Sequence, residues 1–134
     1  MNRPICIIDD DEDIRAVMTY ALEFEGMQSL PFGSAKNALE YLKQLDQDRL
    51  PCLIIVDFMM PDMNGAEFID LLKTHYPNSL GKIPIVLSSA RLVDETSYIP
   101  SSIRRLNKPV DLDSFYGMAR EYYFQEEFNI NAYW

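Results

Sequence analysis

Long apolar stretches are absent from this 134-residue chain, and no run approaches the ~18 residues of a membrane-spanning helix. After Met1-Asn2-Arg3-Pro4 comes an apolar run of only four residues, Ile5 to Ile8, too short for a signal-peptide core. Cysteine is scarce. Cys6 and Cys52 both sit in apolar runs and read as small buried hydrophobes rather than as a redox or metal pair. Basic residues are in deficit too: 12 Lys and Arg stand against 21 Asp and Glu, a net charge of −9. Such a chain lacks the cationic footprint that nucleic acid or an anionic membrane requires. Its single histidine, His75, has no partner at ligand spacing and reads as a surface residue at a helix C-terminus. The expectation is a cytoplasmic protein with reduced thiols that binds neither nucleic acid nor membrane.

What is present is an alternation of strand and helix patterns. Ile5-Cys6-Ile7-Ile8, Leu53-Ile54-Ile55-Val56 and Ile83-Pro84-Ile85-Val86-Leu87 are unbroken apolar runs. Runs of that kind, without polar alternation, predict strands buried on both faces of a parallel sheet. Met27 to Phe32 is a weaker strand. Ile103-Arg104-Arg105-Leu106 is weaker still, and its charges suggest an edge. Helical spacing fills the intervals. It is seen in Ile14, Val17, Met18, Ala21 and Leu22 within Ile14 to Phe24, and in Ala35, Ala38, Leu39, Leu42 and Leu45 within Ala35 to Leu45. A third helix, Ala66 to Tyr76, places Phe68, Ile69, Leu71 and Leu72 inside. The last, Asp111 to Glu127, carries Leu112, Phe115, Tyr116, Ala119, Tyr122 and Tyr123 in one stripe. Asp11 or Asp13 can cap the first helix and Ser34 the second, while Gly26 and Pro77 mark stops. This order predicts an α/β fold with a mostly parallel sheet. With no repeat, linker or low-complexity tract, residues 1–134 read as one domain.

Two of the strongest strands end in carboxylates: Asp9-Asp10-Asp11 after the first and Asp57 after the third. Taken alone, the triple acid is as well explained as a solvated helix start. Ligands of open α/β sheets, however, bind outside the carboxyl ends of the strands, where strand order reverses. Carboxylates gathered in such a cleft repel one another, and a divalent cation removes the conflict. Mg²⁺ prefers hard oxygen ligands, one or two carboxylates with waters and phosphate oxygens. Lys108, beside Pro109 after the last strand, would bring a compact positive charge to the same rim, and Ser89 a hydroxyl donor. An Asp carboxylate can attack phosphorus and form an acyl phosphate, with cation and lysine neutralising charge on the transferred oxygens.

The chain resembles the receiver domains of bacterial response regulators, including the stand-alone chemotaxis type. The matching pieces are Ile7-Ile8-Asp9-Asp10-Asp11, Val56-Asp57-Phe58-Met59-Met60-Pro61-Asp62-Met63-Asn64-Gly65, Pro84-Ile85-Val86-Leu87-Ser88-Ser89-Ala90 and Lys108-Pro109. They arrive in order along nearly the whole chain. The resemblance implies a flavodoxin-like sheet of five parallel strands in order 2-1-3-4-5 with five helices. It implies that Asp57 is the phospho-acceptor, that Asp10 binds Mg²⁺ directly and Asp9 partly through water, and that the backbone carbonyl of Met59 is a third protein ligand. Mn²⁺ could substitute for Mg²⁺. Ser89 would bond a phosphoryl oxygen and Lys108 would pair with the phosphoryl group. The implied partners are a histidine kinase or phosphotransfer protein and a downstream protein whose contacts change on phosphorylation.

The chain also departs from that family. Residues 91–102 must hold the fourth helix and both its loops in twelve positions that include Pro100 and Ser101-Ser102, so a stunted or irregular helix is expected there. Arg105 stands where the family usually has an aromatic switch. A phosphorylation-independent adaptor is the alternative function, but it has no need of the acid pair, Asp57, Ser89 and Lys108 together. A Mg²⁺ phosphatase with an Asp nucleophile typically carries a second Asp two residues on, and that position is Met59.

The C-terminal tail, residues 128–134, is aromatic. Phe128, Ile130, Tyr133 and Trp134 follow the last helix, while Met118 and Phe124 lie off its stripe. So many large apolar groups seldom remain exposed as one patch. Either the tail folds back over its own domain, or the last helix and tail form a homodimer or partner surface. Deleting Phe128 to Trp134 separates these. Self-packing predicts lost stability at constant mass, and dimerisation predicts a shift from dimer to monomer in sedimentation. A deletion that changes neither, and loses no partner binding, identifies a passive extension.

Overall fold

The computed structural model describes residues 2–90 and 99–124. Among them five strands, β1 Ile5–Ile8, β2 Ser29–Phe32, β3 Leu53–Asp57, β4 Ile85–Ser89 and β5 Arg104–Asn107, form one sheet in the order β2-β1-β3-β4-β5. Every pairing is parallel. The α-helices among the described residues are α1 Glu12–Phe24, α2 Ala35–Leu42, α3 Gly65–His75 and α4 Leu112–Tyr123. The fold is the expected doubly wound, flavodoxin-like sheet. The shortened helix expected within 91–102 falls largely on residues 91–98, and the aromatic tail on 128–134; both lie outside the described residues. The part of the former that is described, Ile99 to Ser102, is a turn, closed where the Ile103 N–H donates to the Pro100 carbonyl at 3.0 Å.

The unbroken apolar runs have a plain cause. All residues of β1, β3 and β4 are buried, because helices cover both faces of these inner strands. Cys6, Ile8, Ile54, Val56, Ile85 and Leu87 meet α2 and α3 through Ala38, Leu42, Phe68 and Leu72. Ile5, Ile7, Leu53, Ile55, Val86 and Leu106 meet α1 and α4 through Met18, Leu22, Phe115 and Met118. The two weaker strands are the sheet edges. Pro31 in β2 is exposed, and an edge tolerates its missing donor. Arg104 and Asn107 of β5 are exposed as well. Cys6 and Cys52 are both buried, and His75 is exposed in the last turn of α3.

Several sequence expectations shift by a turn or a face. The strand expected from Ile83 begins at Ile85, and the helix expected to Leu45 ends at Leu42. Val17 is 52% exposed and Leu112 40%, so neither belongs to its helix's buried stripe. Met118, read as lying off the stripe, is 3% exposed and inside the core. The contacting face of α4 runs through Phe115, Met118, Ala119 and Tyr123, a spacing of three, four and eight that suits a 100° rotation per residue. Phe124 packs edge-on against Tyr123 with ring centroids 5.1 Å apart.

The junction of β3 with α3 is the tightest in the fold. Gly65 opens α3 behind a capping box, with Asn64 accepting from the Glu67 N–H at 2.8 Å and Glu67 accepting from the Asn64 N–H at 3.1 Å. The Gly65 N–H also donates to the Phe58 carbonyl at 2.9 Å. A Cβ on Gly65 would stand 2.7 Å from the Asp57 carbonyl oxygen and 2.8 Å from Leu87 Cδ1, closer than van der Waals contact allows. Gly65→Ala must therefore push α3 away from the residue that ends β3. The expected cost is about 1–3 kcal/mol, read from urea unfolding midpoints; an unchanged midpoint would mean that the junction yields freely.

Candidate functional site

β1 and β3 are neighbours at the point where strand order reverses, so their carboxyl ends open side by side. Asp9 follows β1 and Asp57 closes β3. Asp9, Asp10 and Asp57 each offer a carboxylate oxygen, and these atoms all lie within 4.8 Å of one another. Asp9 and Asp57 are buried, whereas Asp10 is exposed. Lys108, just past β5, bridges the buried pair: its Nζ is 2.9 Å from Asp9 Oδ2 and 3.1 Å from Asp57 Oδ1. Its backbone N–H donates to the Ser89 carbonyl at 3.0 Å, extending the β4–β5 ladder. The Lys108-Pro109 peptide is cis.

Local geometry explains why these groups stay in place. The Asp9 N–H donates to the Phe32 carbonyl at 3.1 Å, and Asp9 Oδ1 accepts from the Asp11 N–H at 2.9 Å. Asp11 resolves the capping question: its carboxylate accepts from the N–H groups of Asp13 and Ile14 at 2.9 and 3.2 Å. Of the three consecutive acids, one is therefore a helix cap and two face the cluster. Arg15, which carried no signal in the sequence, donates from its guanidinium to the Asp9 carbonyl at 2.7 Å. Ser89 is buried at the end of β4, and Met59 lies on the loop after β3 with its side chain half exposed. Ser88, not singled out in the sequence, is the residue that pairs with Asp57 across β3 and β4. Strand register combined with side-chain alternation is the signal that finds it. Arg105 donates to the carbonyls of Ile103 and Ile99 at 2.8 and 3.1 Å, so it clasps the turn that precedes its own strand.

Burial pushes the Asp57 carboxyl up to about 6; the negative charge of Asp9 acts in the same direction, and Lys108 offsets both in part. Burial pulls the Lys108 ammonium down, but its hydrogen bond to Asp9 and the charge of Asp57 outweigh that, and it ends above the ordinary lysine value. The donor set consists of hard carboxylate oxygens, two buried and one at the surface. That set suits a divalent cation of the Mg²⁺ type, which keeps part of its water shell.

The sequence of the chain matches the response regulator receiver domain family over residues 5–116, and the chain belongs to that family. It is 30% identical over 112 residues to the DNA-binding transcriptional regulator NtrC of Proteus hauseri, covering 81% of this chain and 22% of that protein. It is 30% identical over 128 residues to the heme response regulator HssR of Staphylococcus saprophyticus, covering 93% of this chain and 52% of that protein. The chain thus spans about half or less of these relatives. Among solved structures, the Vibrio cholerae chemotaxis protein CheY4 superposes with a TM-score of 0.77 at 19% identity, over 91% of this chain and 99% of that one. A receiver protein from Pseudomonas putida gives 0.77 at 22% identity, over 90% and 98%. The protein is accordingly a receiver domain of two-component response regulators, a signalling domain rather than a classical enzyme. Receiver domains generally bind Mg²⁺, and no helix among the described residues is long and apolar enough to cross a membrane.

The raised Asp57 value has a thermodynamic consequence. Unfolded, this carboxyl titrates near the ordinary 3.8; folded, near 6. Between those values the folded state holds the extra proton, so stability falls as pH rises through that window, and the full cost persists above it. Asp57→Asn removes this contribution. In metal-free buffer its unfolding midpoint should therefore exceed that of the wild type at pH 7 and converge toward it near pH 4. A constant offset across that range would contradict the assignment of the titration to Asp57.

Proposed function

We propose that this receiver domain accepts a phosphoryl group on Asp57 from the phosphohistidine of a histidine kinase or phosphotransfer protein, and signals by altered protein–protein contacts. The observation that carries this reading is the convergence of Asp9, Asp10 and Asp57 within 4.8 Å, with the Lys108 ammonium bridging Asp9 and Asp57. Three carboxylates in one cleft oppose folding, and a site for a divalent cation and a phosphoryl group gives them a use.

In this reading Asp9, Asp10, Asp57 and the backbone carbonyl of Met59 hold Mg²⁺, with Mn²⁺ able to substitute. The cation supplies positive charge for the phosphoryl oxygens in the transition state. Asp57 is the nucleophile: one carboxyl oxygen forms a bond to phosphorus as the bond from phosphorus to the donor breaks. Lys108 leaves Asp57 to pair with a phosphoryl oxygen, and the Ser89 hydroxyl donates to another. Asp9 remains beside Lys108 and limits how far the ammonium moves. The same geometry accepts small acyl phosphates and allows slow hydrolysis, since the cleft is open at Asp10. Residues 1–134 act as one receiver unit in the cytoplasm. The net charge of −9 opposes direct contact with nucleic acid.

Mass spectrometry after incubation with acetyl phosphate and Mg²⁺ tests the reading. One phosphoryl group should appear on the wild type and none on Asp57→Asn. If Asp57→Asn is labelled as fully as the wild type, Asp57 is not the acceptor. Mg²⁺ should also raise the melting temperature by mass action. Asp10→Asn should weaken that response and leave the metal-free form at least as stable as the wild type. An identical Mg²⁺ titration in Asp10→Asn would remove Asp10 from the ligand set.

A further inference from the structure

Among the described residues, one buried side-chain polar atom has no hydrogen-bond partner: the hydroxyl of Ser88. The residue is 1% exposed. Its neighbours in the sheet are Asp57 on β3 and Leu106 on β4's other side. Paired residues of a parallel ladder project from the same face, on strands roughly 4.8 Å apart. Val86, two residues earlier, and Leu106 both meet α1 and α4, which puts Ser88 on that face, directly beside Asp57 and two residues below the level of Lys108. A buried hydroxyl left unbonded carries its full desolvation cost, and alanine in the same place would not. Folding stability therefore gives no reason for a serine here, and such a group calls for another explanation.

We propose that Ser88 is a positioning residue for Asp57. When a phosphoryl group draws Lys108 away, the Ser88 hydroxyl replaces that ammonium as hydrogen-bond donor to the Asp57 oxygen that is not bonded to phosphorus. This rests on the reading of Asp57 as phospho-acceptor. In the unphosphorylated protein Lys108 already occupies Asp57 at 3.1 Å, and the hydroxyl is held in reserve. Rotation to another staggered position about its Cα–Cβ bond is the movement that re-aims it in this proposal. During hydrolysis a water oxygen forms the new bond to phosphorus, and the bond from phosphorus to Asp57 breaks. Asp57 leaves with the electron pair as a carboxylate, and the water's protons end on inorganic phosphate and in solvent. Negative charge thus grows on Asp57 as the bond breaks. A donor binds that charge more strongly than it binds the neutral acyl oxygen, so the Ser88 hydroxyl speeds loss of the phosphoryl group.

The test uses the whole chain as wild type, Ser88→Ala, Ser88→Thr and Ser88→Val. Each is loaded with acetyl phosphate and Mg²⁺, freed of the donor, and followed by intact-mass spectrometry, with thermal unfolding measured on the unloaded form. Ser88→Ala should lengthen the phosphoryl lifetime about three- to tenfold while melting at or above the wild-type temperature. Ser88→Thr, which keeps the hydroxyl, should decay near the wild-type rate, and Ser88→Val should follow Ser88→Ala. If the valine variant does not fold, the alanine and threonine pair decides. Equal lifetimes for wild type and Ser88→Ala would overturn the role of Ser88 alone. So would alanine and threonine variants that change lifetime together, since that would be an effect of size. A wild type that takes up no phosphoryl group would overturn this proposal and the reading of Asp57 at once.

Discussion

Repulsion among three carboxylates, answered by one ammonium, is the constraint on which the rest of this structure turns. Asp9, Asp10 and Asp57 present oxygens within 4.8 Å of one another. Two like charges at about 4 Å repel by about 4 kcal/mol at an effective dielectric of 20. Lys108 neutralises part of this by touching Asp9 and Asp57 together, and the cluster still keeps a net negative charge. Burial raises Asp57 above the ordinary carboxyl value and the charge of Asp9 acts in the same direction, so the cluster favours whatever supplies positive charge.

Sustaining that repulsion needs a rigid frame, and the backbone supplies it. Asp9 is fixed at its N–H by β2, at its carbonyl by Arg15 and at one carboxylate oxygen by the Asp11 N–H. Asp57 is fixed by its place at the end of a wholly buried strand and by α3 pressed against its carbonyl through the bare Cα of Gly65. Lys108 is fixed by the β4–β5 ladder through Ser89. These restraints come from four different strands, so the site exists only when the sheet is assembled. Lys108 also directly follows the strand that carries Arg105, whose guanidinium clasps the turn through Ile99 and Ile103. The ammonium at the site and the turn at the far side of β5 are thus joined by one short strand.

The sequence carried a great deal of this. Unbroken apolar runs at Ile5–Ile8 and Leu53–Val56 identified inner strands because burial on both faces leaves no place for polar alternation. The four ordered motifs marked Asp9, Asp10, Asp57 and Lys108, which the fold brings to one rim. The errors lie where a one-dimensional pattern leaves a helix's rotation open. Met118 and Val17 each sit one position from a face boundary. Packing against the sheet, not apolar character, put Met118 inside and left Val17 exposed.

Hydrophobic spacing, strand-end acids and motif order are local properties, and a sequence by itself determines them: the α/β alternation, the buried strands and the residue types gathered at the strand ends. Which atoms meet is not local. Lys108 bridges Asp9 and Asp57 from positions ninety-nine and fifty-one residues away along the chain. Arg15 braces Asp9 through a backbone carbonyl that any residue would offer. Ser88 stands beside Asp57 because of the register between β3 and β4. Register, helix rotation and the burial that raises Asp57 arise only when the sheet closes its layers, because each depends on distances between segments that the chain order does not contain.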